Sequence, residues 1–272
     1  MEEKQIQTYA FFDTHAHYYD DRFYGEENPC GAEALISELF DSGLLGIVNV
    51  SSSYPASLKV VEQAKRFDKM YSAVGIHPED LESGGMSFAE QIAGVRELLA
   101  ERVKNKIVAV GEIGLDYYWR QDNKEAQKEA FECQLELARE FSLPVIIHDR
   151  EAHGDCFETV LKYPDVKGVF HSYSGSAEMA RELIKRGWYI SFSGVVSFKN
   201  AAKIKEVAVV VPDDRILIET DAPYLAPHPY RGKINHSGRL FYTASALAEA
   251  RGSDVDTIAN LTYNNAKVFF GI

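Results

Sequence analysis

The sequence predicts an α/β fold, a closed (β/α)8 TIM barrel, on two observations. Short apolar runs rich in β-branched residues recur eight times along 272 residues, and stretches with helical spacing separate them. Eight strand–helix units in roughly 250 residues match the usual size of this barrel. An open doubly wound sheet is the alternative, but the first strand lacks the GxGxxG turn typical of dinucleotide-binding sheets.

The elements follow one another in regular alternation. The strands are expected at Ala10–Asp13, Gly46–Val50, Tyr71–Gly75, Ile107–Gly111, Val145–His148, Gly168–His171, Trp188–Ser191 and Arg215–Glu219. Helices between them include Ala32–Asp41, Pro55–Phe67, Phe88–Lys104, Lys124–Glu140, Ala177–Lys185 and Ala201–Val209. No linker or low-complexity stretch interrupts this order, so residues 1–272 are predicted to form one domain.

Composition and charge narrow the class of protein. With 46% hydrophobic and 26% charged residues, the chain is typical of a globular protein. The 41 acidic residues outnumber the 29 basic ones, giving a net charge of −12 that repels nucleic acid and anionic membranes. A phosphate ligand therefore needs a local positive site.

Targeting segments and cysteine usage indicate where in the cell the protein is expected. The sequence contains no apolar run of about 18 residues and no secretory signal, so no membrane association is expected. The three cysteines are scattered without CxxC spacing, which fits reduced thiols. We therefore predict a cytoplasmic protein.

Polar side chains follow five of the apolar runs, at the strand ends where catalytic groups of such barrels lie. His15 and His17 are two residues apart, so both imidazoles are expected on one face of the first strand. The others are Glu112, His148, His171 and Asp221. One buried histidine or glutamate is usually a satisfied core residue, but six such groups on one rim favour a metal site.

The ligand types predict which ions bind. Imidazole and carboxylate suit Zn, Mn, Fe, Ni or Mg, and six ligands exceed what one open catalytic ion needs. Two divalent ions about 3.5–4 Å apart would use them all. The predicted sets are His15, His17 and Asp221 for the first ion and His148 and His171 for the second, with Glu112 as the bridge.

Such a centre predicts hydrolysis by a metal-activated water. Two divalent ions and two carboxylates leave a positive local charge that attracts phosphate or a developing oxyanion. Asp221 and Glu112 are the predicted catalytic residues, and Asp221 is placed to take the proton of the attacking water. Glu219, two residues earlier, is expected to support a ligand rather than bind metal.

At these residues the sequence resembles the TatD family of metal-dependent hydrolases, within the amidohydrolase-like barrels. The matching segments are Asp13–His17, Gly75–Pro78, Gly111–Tyr117, Pro144–His148, His171–Gly175, Glu219–Pro227 and Arg231–Lys233. The resemblance implies a deoxyribonuclease that uses divalent metal to cleave DNA, with single-stranded DNA as the expected substrate. Its metal positions fall on the same six residues.

The resemblance also bears on substrate contacts. It implies that His77 lies near the substrate phosphate, although His77 before Pro78 is equally well read as a loop-fixing residue. Arg231 and Lys233 are the predicted grip on a phosphate, with a solvated loop pair as the alternative. Tyr117, Tyr118 and Trp119 after the fourth strand are candidates for base stacking, although packing explains such aromatics at least as often.

Departures from the usual family pattern concern substrate choice. Glu79 follows Gly-Ile-His-Pro where a second histidine is common. His236 and Ser237 stand in the segment after Lys233, where an acidic residue and proline are frequent. Neither departure removes a predicted metal ligand, but both alter the rim that would hold DNA.

Two other functions remain open from the sequence. An amidase, lactonase or other carboxyl-ester hydrolase would use the same two-metal site on a carbonyl carbon. A barrel that keeps its metals as a binding or scaffold protein is the other possibility. The presence of Asp221 argues against a binding or scaffold function, because a binding protein needs no catalytic base.

Overall fold

Eight parallel strands form one sheet in chain order, which confirms the predicted barrel. The computed structural model describes residues 11–25 and 31–272. The strands are β1 (Phe12–Ala16), β2 (Gly46–Val50), β3 (Met70–Val74), β4 (Ile107–Asp116), β5 (Val145–Arg150), β6 (Gly168–Phe170), β7 (Tyr189–Phe192) and β8 (Ile216–Ile218). Ala10, the predicted start of the first strand, and Cys30, one of the three cysteines, lie outside the described residues.

Helices follow the strands and cover the outside of the sheet. They are α1 (Gly31–Asp41), α2 (Tyr54–Arg66), α3 (Phe88–Ala100), α4 (Lys124–Phe141), α5 (His153–Leu161), α6 (Ala177–Lys185), α7 (Ala202–Val210), α8 (Leu240–Arg251) and α9 (Val255–Phe270). No helix in the described ranges is both long and apolar enough to cross a lipid bilayer.

Two apolar clusters hold the barrel together. The larger one joins strand residues to the inner faces of the helices. The smaller one takes members from all eight strands and from the end of α9, so it is the core inside the barrel. Phe270 of α9 stacks on Phe12, at the start of β1, with ring centroids 6.3 Å apart. Apolar packing therefore fills the end of the barrel opposite the strand carboxyl ends.

Hydrogen bonds between β1 and the segment after β8 complete the ring. The Asp221 amide donates to the His15 carbonyl at 2.9 Å, and the His17 amide donates to the Ala222 carbonyl at 2.7 Å. The buried Asp13 carboxylate accepts the Thr220 amide at 3.0 Å and the Thr220 hydroxyl at 2.6 Å. These contacts place Asp221 directly beside His15 of β1 and His17, which follows that strand.

Most predicted strands differ from the observed ones by one or more residues at an end, and the differences in the first and fourth strands bear on the site. The first strand begins two residues later than predicted and includes His15. The fourth strand continues five residues beyond Gly111 to Asp116, so Glu112 lies within β4 rather than at its end. The register of β4 against β5 shifts between Val110 and Ile113, and Glu112 lies in that irregular stretch.

Candidate metal centre

Glycines next to Glu112 allow β4 to pass close to its neighbours. A Cβ atom on Gly111 would lie 2.7 Å from the Cβ of Ile146. Gly114 has φ +142°, and a Cβ atom there would lie 2.0 Å from the His148 carbonyl oxygen. Only glycine tolerates both that backbone angle and that approach. The sequence Gly-Glu-Ile-Gly therefore brings Glu112 up against the strand that carries His148.

The two carboxylate oxygens of Glu112 face different pairs of histidines. Oε1 lies 2.8 Å from His148 Nδ1 and 2.6 Å from His171 Nε2. Oε2 lies 3.4 Å from His15 Nε2 and 3.8 Å from His17 Nε2. Glu112 thus stands between the two histidine pairs, as a carboxylate that bridges two ions would.

Asp221 closes the cluster on the side of β1. Its Oδ1 lies 3.2 Å from His17 Nε2 and 3.7 Å from His15 Nε2. The backbone of Asp221 is left-handed, with φ 56°. Such a conformation is uncommon outside glycine, although aspartate adopts it more readily than most residues. It turns the chain immediately after β8 and directs the carboxylate toward the two histidines.

Three of the four histidines are held through the nitrogen that faces away from the cluster. His17 Nδ1 donates to the Val50 carbonyl at 2.7 Å. Carboxylates hold the other two: Asp116 Oδ2 lies 3.0 Å from His148 Nε2, and Glu219 Oε1 lies 3.2 Å from His171 Nδ1. These contacts leave His17 Nε2, His148 Nδ1 and His171 Nε2 directed into the cluster.

His15 differs from the other three histidines, because no hydrogen bond in the described part of the chain holds the nitrogen that faces away from the cluster. Its Nδ1 is buried and has no hydrogen-bond partner among the described residues, while its Nε2 points into the cluster. The ring is packed against His171, with centroids 4.2 Å apart and planes inclined by 15°. Stacking therefore sets the orientation of this ring.

Burial and close charges shift the pKa values of these groups in opposite directions. Burial alone raises the pKa of the Glu112 carboxyl group, but His171 and His15 outweigh it and hold that pKa well below its usual range. Burial lowers the pKa of His148, yet hydrogen bonds to Asp116 and Glu112 raise it to about 9. A divalent ion entering the site would therefore compete with protons on the imidazoles.

The donor set fits divalent metal ions. Nitrogen and carboxylate oxygen atoms from six strands or the segments after them lie close together, in groups of three whose atoms are within 4.8 Å of one another. The groups are His15, His17 and Glu112; His15, His171 and Asp221; Glu112, His148 and His171; and His77, Asp116 and His148. Six of these residues are the predicted ligands; Asp116 and His77 are additional.

The cluster forms the floor of a cavity of about 250 Å³. The residues that line it are His17, Tyr19, Asp20, Ser52, His77, Glu79, Asp80, Glu112, Asp116, Trp119, His148, Arg150, His171, Asp221 and Tyr224. Arg150 was not among the residues predicted from the sequence. Its position two residues after His148, on the same strand, could have indicated that it reaches the cavity.

His77 lies beside the cluster. Its ring meets that of His148 edge to face, with centroids 4.3 Å apart. Burial, together with the neighbouring His148, lowers the pKa of His77 to about 3, so the ring is neutral near pH 7. Its Nδ1 accepts the Glu79 amide at 3.2 Å, which puts the ring proton on Nε2. His77 can therefore donate one hydrogen bond into the cavity.

The other two predicted substrate residues lie elsewhere. Arg231 and Lys233 are exposed residues of the segment after β8 and are not among the residues that line the cavity. The Arg231 guanidinium packs over the ring of Phe198, 4.7 Å from its centroid. The structure thus brings His77 to the predicted metal ligands but not these two cations.

A (β/α)8 barrel with four imidazoles and two carboxylates at the carboxyl ends of its strands is the architecture of a metal-dependent hydrolase. Comparison with known proteins gives the same class. The model of the TatD related DNase family matches residues 12–271, so the chain belongs to that family.

The names of similar proteins also describe metal-dependent hydrolases. The chain is 41% identical over 264 residues to the uncharacterized metal-dependent hydrolase YabD of Bacillus subtilis, covering 96% of this chain and 99% of that one. It is 33% identical over 258 residues to the uncharacterized metal-dependent hydrolase TatD of Mycobacterium tuberculosis, covering 89% and 94%.

Solved structures share the fold. The crystal structure of YjjV, a TatD homolog from Escherichia coli, superimposes with a TM-score of 0.86 at 30% identity and covers 96% of this chain and 98% of that one. A mutant organophosphorus hydrolase from Deinococcus radiodurans gives a TM-score of 0.62 at 17% identity, with 98% and 94% covered, and shares the barrel alone.

Proposed function

We propose that this protein is a deoxyribonuclease that hydrolyses phosphodiester bonds, with single-stranded DNA as its substrate. The observation that carries the proposal is the arrangement of Glu112, whose two carboxylate oxygens each face one histidine pair. The family match, described as a TatD related DNase, supports DNA as the substrate class. The cytoplasmic location stays a prediction based on cysteine usage.

His15, His17 and Asp221 are proposed to hold one divalent ion and His148 and His171 a second, with Glu112 between them. When bound, such ions lower the pKa of water and stabilise negative charge on phosphoryl oxygens.

The chain's own groups supply the rest of the mechanism. Asp221 is ionised near neutral pH: burial alone raises the pKa of its carboxyl group, but the hydrogen bond with His17 and nearby imidazoles lower it. We assign it the role of accepting the proton of the attacking water. The neutral His77 is assigned a hydrogen bond from Nε2 to a substrate phosphoryl oxygen. Arg231 and Lys233 are proposed to contact the DNA chain beyond the cavity.

The test is cleavage by metal-stripped protein after Mg, Mn, Co or Zn has been added back separately. The substrates are a labelled single-stranded oligonucleotide and bis(p-nitrophenyl) phosphate. We expect at least one metal to restore cleavage of both, and the Glu112→Ala variant to show little cleavage and fewer bound ions per chain.

Other outcomes separate the alternatives. Rebinding of metal without cleavage of either phosphodiester would overturn the nuclease proposal and direct the search to carboxyl esters, lactones and amides. Two ions per chain in Glu112→Ala, measured by elemental analysis, would contradict the bridging role.

A further inference from the structure

We propose that Trp119 and Arg150 form a binding site for one unpaired nucleotide beside the metal centre. Arg150 binds a phosphate of that nucleotide, and the face of Trp119 stacks on its base. This inference rests on the proposed nuclease function and names the part of the cavity that recognises the substrate.

Trp119 and Arg150 lie at the same cavity. Both line the cavity whose floor is formed by the predicted metal ligands. Arg150 ends β5, the strand that carries His148, and Trp119 lies in the turn after β4, the strand that carries Glu112. A nucleotide held by this pair would lie next to a phosphodiester bond at the metal centre.

Arg150 is a cation that the protein leaves available. Its guanidinium carbon lies 4.3 Å from the centroid of the Tyr118 ring and 5.4 Å from that of Trp119. Among the described residues it has no ion pair within 4.0 Å. Arg22, over Tyr224 at the same cavity, is instead held by two hydrogen bonds to Asp20, each 2.8 Å long.

The charges around Arg150 explain why its position matters. Asp20, Glu79 and Asp80 also line the cavity, and the whole chain carries a net charge of −12. These carboxylates repel the DNA backbone. A guanidinium offers paired N–H donors that match two oxygens of a phosphate, and it keeps its charge at any physiological pH.

Trp119 presents an aromatic surface to solvent at the cavity. Its side chain is 60% exposed, whereas the other tryptophan, Trp188, is 2% exposed and belongs to the core. Tyr118 meets Trp119 edge to face, with centroids 4.7 Å apart and planes inclined by 85°. Stacking on such a ring favours single strands, because the bases of a duplex are already stacked on each other.

A buried carboxylate fixes this surface relative to the metal centre. Asp116 Oδ1 accepts the amides of both Tyr118 and Trp119, each at 2.9 Å. Asp116 Oδ2 is the hydrogen-bond partner of His148 Nε2 at 3.0 Å. The same side chain therefore orients a predicted metal ligand and the turn that carries Trp119.

Two phosphodiesters with the same leaving group test the site on metal-loaded enzyme. Thymidine 5′-(p-nitrophenyl phosphate) carries a nucleoside, whereas methyl p-nitrophenyl phosphate does not. We expect Trp119→Ala to lower kcat/KM for the thymidine ester about tenfold or more, through KM, and to change the methyl ester about twofold at most. Trp119→Phe, which keeps a stacking face, should retain most of the wild-type value. Equal losses on both esters in Trp119→Ala would overturn the stacking role.

Binding is measured separately, without turnover. Thymidine 5′-monophosphate has no diester bond to cleave, and its stacking on Trp119 should quench the fluorescence of that exposed indole. We expect Arg150→Gln to weaken this binding about tenfold and Arg150→Lys to weaken it less. Lys104→Gln, which removes an exposed cation from the segment before β4, is the matched charge control and should bind as wild type does. Equal weakening by Lys104→Gln and Arg150→Gln would overturn the Arg150 contact.

The two experiments separate this inference from the function on which it rests. Binding of the monophosphate with quenching, in an enzyme that cleaves neither ester, supports the nucleotide site and contradicts the nuclease. Cleavage of both esters without any quenching by the monophosphate supports a phosphodiesterase and overturns the nucleotide site.

Discussion

At the scale of single residues, the nitrogen and oxygen atoms that face the cluster are selected by partners behind them. A neutral imidazole has one N–H and one lone pair, so a hydrogen bond from one nitrogen determines which nitrogen is left to bind metal. Glu219 does this for His171 and also accepts the Ser191 hydroxyl at 2.6 Å. The Val50 carbonyl does it for His17.

The role of Asp221 is tested by removing its charge while keeping its shape. Asp221→Asn retains an oxygen that can face a metal but is a far weaker base. We expect turnover of the oligonucleotide to fall at least about 100-fold while most of the metal stays bound. Initial rates and elemental analysis are the measurements, with Asp122→Asn, an exposed side chain of the loop before α4, as the control. Full activity in Asp221→Asn would exclude this residue as the base.

His236 gives a prediction about pH and stability. Burial, together with Arg239, lowers its pKa from 6.5 to about 4 in the folded protein. The unfolded chain therefore binds more protons between these values, so the free energy of unfolding decreases as the pH falls from 7 toward 4. The expected contribution between pH 7 and pH 5 is on the order of 1–2 kcal/mol.

Urea unfolding at pH 7 and pH 5 measures this effect. His236→Gln keeps a polar neutral side chain, so the variant should lose less stability than the wild type over the same interval. The same loss in both proteins would show that His236 does not titrate in this way.

At the scale of elements, the close passage of β4 along β5 sets the position of Glu112. The two strands pair from Val110 with Val145 to Asp116 with Arg150, with the register shift at Glu112 between them. Gly114 permits this passage, because any side chain there would meet the backbone of His148. Strands β4 and β5 therefore carry two predicted metal ligands, Glu112 and His148. The proposed Trp119–Arg150 site lies where the two strands end.

Gly114→Ala should destabilise the protein by about 3 kcal/mol or more, because it combines an unfavourable φ with a clash against backbone. The matched control is Gly154→Ala in α5, where a Cβ atom meets nothing within 4 Å. We expect this control to match the wild type or gain up to about 1 kcal/mol, since alanine favours helix more than glycine does. Thermal unfolding compares the two; similar values for both would contradict the proposed close passage.

At the scale of the whole molecule, the predicted metal centre connects distant parts of the chain. The six predicted ligands come from β1, β4 and β5 and from the segments that follow β1, β6 and β8. The core inside the barrel supports the sheet at its other end. Ions bound at the carboxyl end would therefore tie together strands that apolar packing there leaves open, within a chain of net charge −12.

Metal removal should consequently lower the melting temperature. An ion present at about 100 times its Kd stabilises the folded state by about 2.7 kcal/mol, equivalent to a rise of several degrees in a chain of this size. Differential scanning fluorimetry with chelator and with added Mn or Zn measures the change. Glu112→Ala should lose most of the rise, whereas His228→Gln, in the segment after β8, should keep it. A melting temperature that does not depend on metal would contradict the predicted centre.

Much of the fold and of the candidate centre follows from local sequence. The period of the apolar runs indicated eight strands, and the barrel brings their carboxyl ends to one rim whatever the details of the loops. Polar residues at those ends, from His15 to Asp221, were therefore expected to meet, and their side chains do meet. The continuation of β4 to Asp116 was not predicted, because it depends on pairing with β5.

The residues behind and around the centre were decided by tertiary structure. Asp116 and His148 are 32 positions apart, and Glu219 and His171 are 48 apart, so local sequence did not define either contact. Likewise, the sequence indicated Arg231 as a cation at the rim, but of these two arginines it is Arg150 that lines the cavity. Strand periodicity determines which side chains reach the rim, whereas the long-range packing of loops determines which charges face the substrate.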